Sequence, residues 1–231
     1  MNKYGLVIMG AVMGALVFAL PGIASAQATC NGLPATLSCT GRVCNGTAGA
    51  DVIVGTSASQ VIDGGLGDDT ICGGGGDDVL IGGLGNDHIE AGSGLDFLEG
   101  DGGDDELLAR GGNDFIDAGS GCDTSDGGGG NDVVLTGTGG VCVDILAIGD
   151  AATGGSGIDV LIGDSGPDDL NGGGNNDVLL GGGDSDALAG AGGNDTLLGG
   201  PQDDDVNCGL GTDVGLGQDG NDTITGCEIL D

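Results

Sequence analysis

From Gly46 to Thr225 one large aliphatic side chain returns every nine residues, set between two variable positions and separated from the next by a stretch rich in Gly and Asp. Stepping by nine from Gly46 gives 20 units, and the eighth position is Ile, Leu or Val in 17 of them; Ser125, Ala152 and Gly215 are the exceptions. Alternate side chains leave a strand on opposite faces, so the pattern predicts a three-residue strand in each unit with its aliphatic turned inward. One inward side chain per nine residues builds a thin seam, not a broad core. Two units, each a turn and a strand, close an 18-residue coil with turns on opposite edges. The expected fold is therefore an all-β solenoid of about ten coils.

Two stretches break the pattern. Residues 1–26 combine Lys3, an apolar run from Leu6 to Leu20, a break at Pro21-Gly22 and Ala24-Ser25-Ala26, the layout of a cleavable signal peptide. The run is too short to span a bilayer as a helix, so export without a retained anchor is expected. Residues 136–153 keep the length of two units, but Val141 and Ile148 replace an Asp and a Gly. This stretch is expected to be one degenerate coil within a continuous roll, a joint between two rolls being the alternative. The resulting division is 1–26 leader, 27–45 cap over the open end, 46–135 and 154–225 repeats, and 226–231 the C-terminal end.

The polar half of the unit carries the candidate chemistry. Position 6 is Asp in 18 of 20 units, with Gln60 and Val141 the exceptions, and position 4 is Gly in 15. Glycines at positions 1, 2 and 4 permit tight turning with positive φ and leave carbonyls free to face a ligand. Coils of 18 residues stack alternate Asp side chains on one edge, about 4.8 Å apart. One expected ladder is Asp51, Asp69, Asp87, Asp105 and Asp123, resuming at Asp159, Asp177, Asp195 and Asp213. The other is Asp78, Asp96, Asp114, Asp132, Asp150, Asp168, Asp186, Asp204 and Asp222. Carboxylates that close repel unless a cation lies between them. An all-oxygen shell of carboxylates and carbonyls, with Gly64, Gly73 and Gly82 as candidate donors, suits Ca²⁺ better than Mg²⁺ or zinc.

Composition agrees. The formal net charge is −34, and without the leader Arg42 and Arg110 are the only basic side chains beside 37 acidic ones. Nucleic acid is excluded as a partner, since binding it takes basic groups that displace counterions. Self-repulsion opposes a compact state without cations.

The runs Gly73-Gly74-Gly75-Gly76-Asp77-Asp78-Val79-Leu80-Ile81 and Gly82-Gly83-Leu84-Gly85-Asn86-Asp87-His88-Ile89-Glu90 resemble the RTX, or hemolysin-type, calcium-binding nonapeptide repeat, G-G-x-G-x-D-x-U-x. The resemblance implies a right-handed parallel β-roll that binds calcium between successive turns and folds as it does so. Many members of that family leave the cell by a C-terminal signal and carry a catalytic or toxic domain; neither is evident in this sequence.

All eight Cys follow the leader, so disulfides are expected. Cys122 with Cys142, and Cys208 with Cys227, fall about two units apart, on adjacent coils, and are expected to pair. Cys30, Cys39, Cys44 and Cys72 leave three connectivities open. No catalytic constellation emerges: His88 is the only His, at a variable position, and no G-x-S-x-G occurs. The expectation is a secreted, non-enzymatic calcium-binding protein with a structural or adhesive role, at the cell surface or in the surrounding matrix. A calcium-binding accessory or fragment of an exported hydrolase or toxin is the alternative. An ice- or surface-binding roll is disfavoured because Thr70, Thr196 and Thr223 are too sporadic to form a flat Thr face.

Overall fold

The computed structural model describes residues 28–137, 150–163 and 165–230. Its strands form two 11-stranded sheets and one short hairpin, and no helix occurs among the described residues. The front sheet runs from Val43–Asn45 to Ile229–Leu230, and the back sheet from Leu37–Ser38 to Thr223–Thr225. Each strand of the two sheets pairs in parallel with the strand two places along the chain, usually 18 residues away: Val61 with Val79 and Val79 with Phe97 in front, Thr70 with His88 and His88 with Glu106 behind. This is the parallel β-solenoid that the nine-residue pattern requires.

Many strands are longer than the three residues expected. Val61–Leu66 and Val79–Leu84, for example, continue through the first three positions of the next unit. The inward face of such a strand then holds two residues, the aliphatic at position 8 and whatever stands at position 1. Position-8 side chains such as Ile62, Leu80, Leu98 and Leu161 are fully buried and line the seam between the sheets. Position 1 is usually Gly because the position-6 carboxylate of the same unit turns in over it. A Cβ on Gly82 would lie 2.5 Å from Asp87 Oδ2.

The three glycine columns thus have different tasks. Positive φ belongs to positions 2 and 4, as at Gly83 (φ 108°) and Gly85 (φ 130°), while position 1 needs room rather than a left-handed backbone. The left-handed turn persists even where position 2 is Asp101 or Arg110, so the stacked ladder imposes it against the local preference of an L-residue.

The irregular middle corrects the expected ladders. Thr124–Gly129 pairs with Ala151–Ser156, and Val133–Leu135 with Val160–Ile162, both at 27 residues instead of 18. Both sheets run unbroken across this step, so the roll is continuous. One whole unit is passed over, which exchanges the edges: Asp123 is followed by Asp150 and Asp132 by Asp159. A unit with Val141 at position 6 has no carboxylate for the ladder bond, and the stack resumes at the next unit that has one. Residues 138–149 lie outside the described residues.

Both ends are stapled. The antiparallel hairpin of Thr29–Cys30 and Leu33–Pro34 is tied to the back sheet by Cys30–Cys72, and Cys39 bonds Cys44 beside the first strands of the two sheets. Those strands, Leu37–Ser38 and Val43–Asn45, lie upstream of Gly46, so the stack begins before the repeat is legible. Cys208–Cys227 lies where the seam lacks an aliphatic: a Cβ on Gly215 would stand 2.8 Å from Cys208 Sγ and closer still to Cys227 Sγ. That pair therefore fills the slot left by Gly215. Cys122 is disulfide-bonded, whereas its expected partner Cys142 lies outside the described residues.

Candidate metal centre

Each position-6 Asp stands immediately before a strand and bonds to the coil above it. Within the ladders Oδ1 accepts the backbone N–H of the position-6 residue one coil earlier, at 2.7 Å for Asp69 N to Asp87 Oδ1 and 2.8 Å for Asp105 N to Asp123 Oδ1, while the first rung, Asp51, accepts the Thr36 hydroxyl through Oδ1. One ladder links Asp51, Asp69, Asp87, Asp105, Asp123 and Asp150, and the same bonds link Asp168, Asp186, Asp204 and Asp222 on the coils that continue it through the pairing of Ala151 with Asp169. The other links Gln60, Asp78, Asp96, Asp114, Asp132, Asp159, Asp177, Asp195 and Asp213. Asp69 through Asp213 in these columns are 3 % exposed or less, whereas the terminal Asp51 and Asp222 are half-buried.

The ends of the second ladder explain a sequence exception. Gln60 replaces Asp on the first rung, where there is no earlier rung to bond. Its Nε2 donates to Cys39 O at 3.1 Å, and its Oε1 accepts from Thr56 N at 2.7 Å. At the other end Glu228 Oε2 accepts the Asp213 N–H, as an Asp would on a further coil.

The second carboxylate oxygen is the informative one. Oδ2 of Asp69, Asp87, Asp105, Asp123, Asp96, Asp114, Asp177 and Asp195 is buried with no hydrogen-bond partner among the described residues. A buried ionised oxygen without a partner is costly, and burial is the main cause that raises these groups above the ordinary carboxylate range. It is opposed by the ladder N–H and reinforced by neighbouring Asp side chains. Asp78, Asp87, Asp114 and Asp177 are pushed up to about 6, and Asp105, Asp123 and Asp186 to about 7. Such a column favours either protonation or a bound cation.

The donor set fits Ca²⁺. Beside Gly64 the space that a Cβ would fill lies 2.5 Å from Asp69 Oδ2 and 2.7 Å from Gly82 O of the next coil; beside Gly73 it lies 2.6 Å from Asp78 Oδ2 and 2.9 Å from Ala91 O. Carboxylate and carbonyl oxygens from adjacent coils thus converge on one small cradle, as a hard cation requires. Of the candidate donors, Gly64 O lies with Asp51 Oδ2 beside Gly46 and Gly82 O with Asp69 Oδ2 beside Gly64, whereas Gly73 O lies with Gln60 Oε1 beside Gly55. No group of three or more His, Cys, Asp or Glu side chains converges among the described residues, so a cation here draws on backbone oxygens, unlike zinc.

A further ladder escapes the repeat formula. Position 5 is Asp or Asn in ten units, and these side chains form exposed files on both edges: Asn86 N donates to Asp68 Oδ1 and Asp104 N to Asn86 Oδ1, both at 3.0 Å, and on the other edge Asn131 N donates to Asn113 Oδ1. Its signal is present in the column, although the formula leaves that position open. His88 binds Glu106 of the next coil through Nδ1 at 2.8 Å, and Arg110 binds Glu90 at 3.1 Å.

Fold and site together define a calcium-binding parallel β-roll whose coils are joined by buried aspartate ladders. The profile of the RTX calcium-binding nonapeptide repeat matches residues 45–80, 73–107, 81–116, 99–134, 153–188 and 180–215, and the chain belongs to that family. The matches omit residues 135–152, where the 27-residue step lies. No curated protein matches the chain.

Proposed function

We propose that this β-roll is an exported, non-enzymatic protein with a structural or adhesive role outside the cell, and that it folds as its aspartate ladders take up Ca²⁺. The observation that carries this reading is the repeated Oδ2, buried and without a hydrogen-bond partner on successive rungs. Calcium supplies the positive charge that lets such carboxylates stay ionised inside the stack. The chain's own part is to hold Oδ1 on the ladder N–H and to leave Oδ2 facing the carbonyls of the adjacent coil.

Export is supported by the leader-like residues 1–26 and by disulfides at both ends of the roll. A non-enzymatic role is supported by the use of the acidic residues as ladder members and of His88 as a rung-to-rung hydrogen-bond partner. The test is far-UV circular dichroism of the protein in chelator and then in millimolar calcium. A calcium-dependent gain of β signal is expected; an unchanged spectrum overturns the reading.

A further inference from the structure

The two sheets have the same backbone and rung spacing but different outer faces. In front, the outward position-7 column from Val43 to Val214 holds seven Val, two Phe and one Thr. Phe97 and Phe115 stack within it, ring centroids 5.2 Å apart. Behind, the equivalent column includes His88, Glu106, Asp169 and Asp205. Stacking therefore does not require aliphatic side chains at this position. The front face also widens toward the C-terminus, where the position-9 column reads Leu135, Ile162, Leu180, Leu198 and Leu216. Asp63, Glu99 and Asp117 occupy that column in the N-terminal half. In a chain of net charge −34, a file of ten rungs without a single charge is a segregated surface. The hairpin tied to Cys72 lies on the back sheet and leaves this face uncovered among the described residues.

We infer that two copies of the calcium-loaded protein associate face to face through this outer surface of the front sheet. Periodicity selects the occupant. Side chains spaced about 4.8 Å along a ladder interdigitate best with a surface of the same spacing, and a second front sheet has it. Charge points the same way: the position-7 column offers no carboxylate to a basic partner, and apposed columns leave Asp63, Glu99 and Asp117 at a solvated rim. Nine rung steps of about 4.8 Å and a width of about 10 Å give roughly 400–500 Å² per copy, near the lower bound for a specific interface. The dimer is accordingly weak, with a dissociation constant on the order of micromolar.

The test is sedimentation velocity of the calcium-loaded protein between about 1 and about 100 µM, with circular dichroism confirming that each sample is folded. Wild type is expected to shift from monomer to dimer over this range. Val178→Lys, on the apolar column, is expected to weaken dimerisation at least about tenfold, and Ala187→Lys, on the back sheet, to leave it unchanged. Should Val178→Lys fail to fold, Val160→Thr with Val178→Thr keeps branched side chains and is expected to weaken the dimer in the same direction. A folded wild type that stays monomeric at about 100 µM overturns the inference, as does equal loss with Ala187→Lys. A monomer that dimerises only after removal of residues 138–149 would assign the face to that segment, and a monomer that instead binds lipid vesicles through Val178 would assign it to a membrane; both overturn it. Absence of a calcium-induced β signal would be the separate failure of the calcium reading.

Discussion

At the scale of single residues, position 6 makes three connections at once. Asp87 accepts the Asp69 N–H through Oδ1, donates its own N–H to Asp105, and points Oδ2 over Gly82. Changing Asp87 to Ala should therefore strand the buried Asp69 N–H, at a cost of about 1–3 kcal/mol, and remove calcium equivalents shared with Asp69 and Asp105 while sparing those around Asp177. Calorimetric titration with no lost equivalents would refute the stacking. Gly64 gives the complementary prediction. Gly64→Val keeps every carboxylate but fills the cradle beside Asp69 Oδ2 and Gly82 O, so it should lower calcium uptake as Asp69→Ala does. The sequence made position 6 legible because its Asp is nearly invariant in phase. It did not separate the glycine columns: room at position 1 and left-handed φ at positions 2 and 4 leave the same letter. The position-5 file was hidden because Asp and Asn share the task and half the units do without it.

At the scale of the element, one aliphatic sets the strand, and the first residues of the next unit set its length. Position 8 was legible from its period alone, and one of its exceptions acquires a reason in three dimensions. Gly215 yields its slot to Cys208–Cys227, and the other two, Ser125 and Ala152, stack on each other across the 27-residue step. The step itself was misread because residues 136–153 have the length of two units, so counting keeps phase while the chain changes edge. Only the ladder bonds, Asp123 to Asp150 and Asp132 to Asp159, reveal that one unit is passed over. Deleting Gly140–Ile148, with Cys122→Ser, joins Thr136-Gly137-Thr138-Gly139 to Gly149-Asp150-Ala151-Ala152-Thr153, a unit in repeat phase. The shortened protein should keep its calcium equivalents and its calcium-induced β signal. Loss of about half of either would show that the two stretches of repeats do not share one stack.

For the whole molecule, stability is a contest between stacked hydrogen bonds and stacked charge. Raised carboxylate pKa values mean that the metal-free fold holds more protons than the unfolded chain between about pH 4 and about pH 7. Its stability is therefore greatest at acid pH and is lost as pH rises through the folded-state values. Metal-free protein should gain β signal when the pH falls from 8 to 5, and a flat profile would contradict buried ionisable ladders. With calcium the dependence reverses, because protons compete for Oδ2. The roll and its ladders were legible at this scale since 18 in-phase Asp leave little choice. The difference between the two outer faces was not, because it emerges only when alternate units are sorted onto separate sheets. The central claim is that cations reside inside the ladders rather than on the acidic exterior. Anomalous scattering from crystals grown with calcium tests it directly. Peaks within coordination distance of Asp87 and Asp105 Oδ2, repeated from coil to coil, are the predicted result; peaks confined to exposed side chains such as Asp68 and Asp104, with none along the ladders, would contradict it.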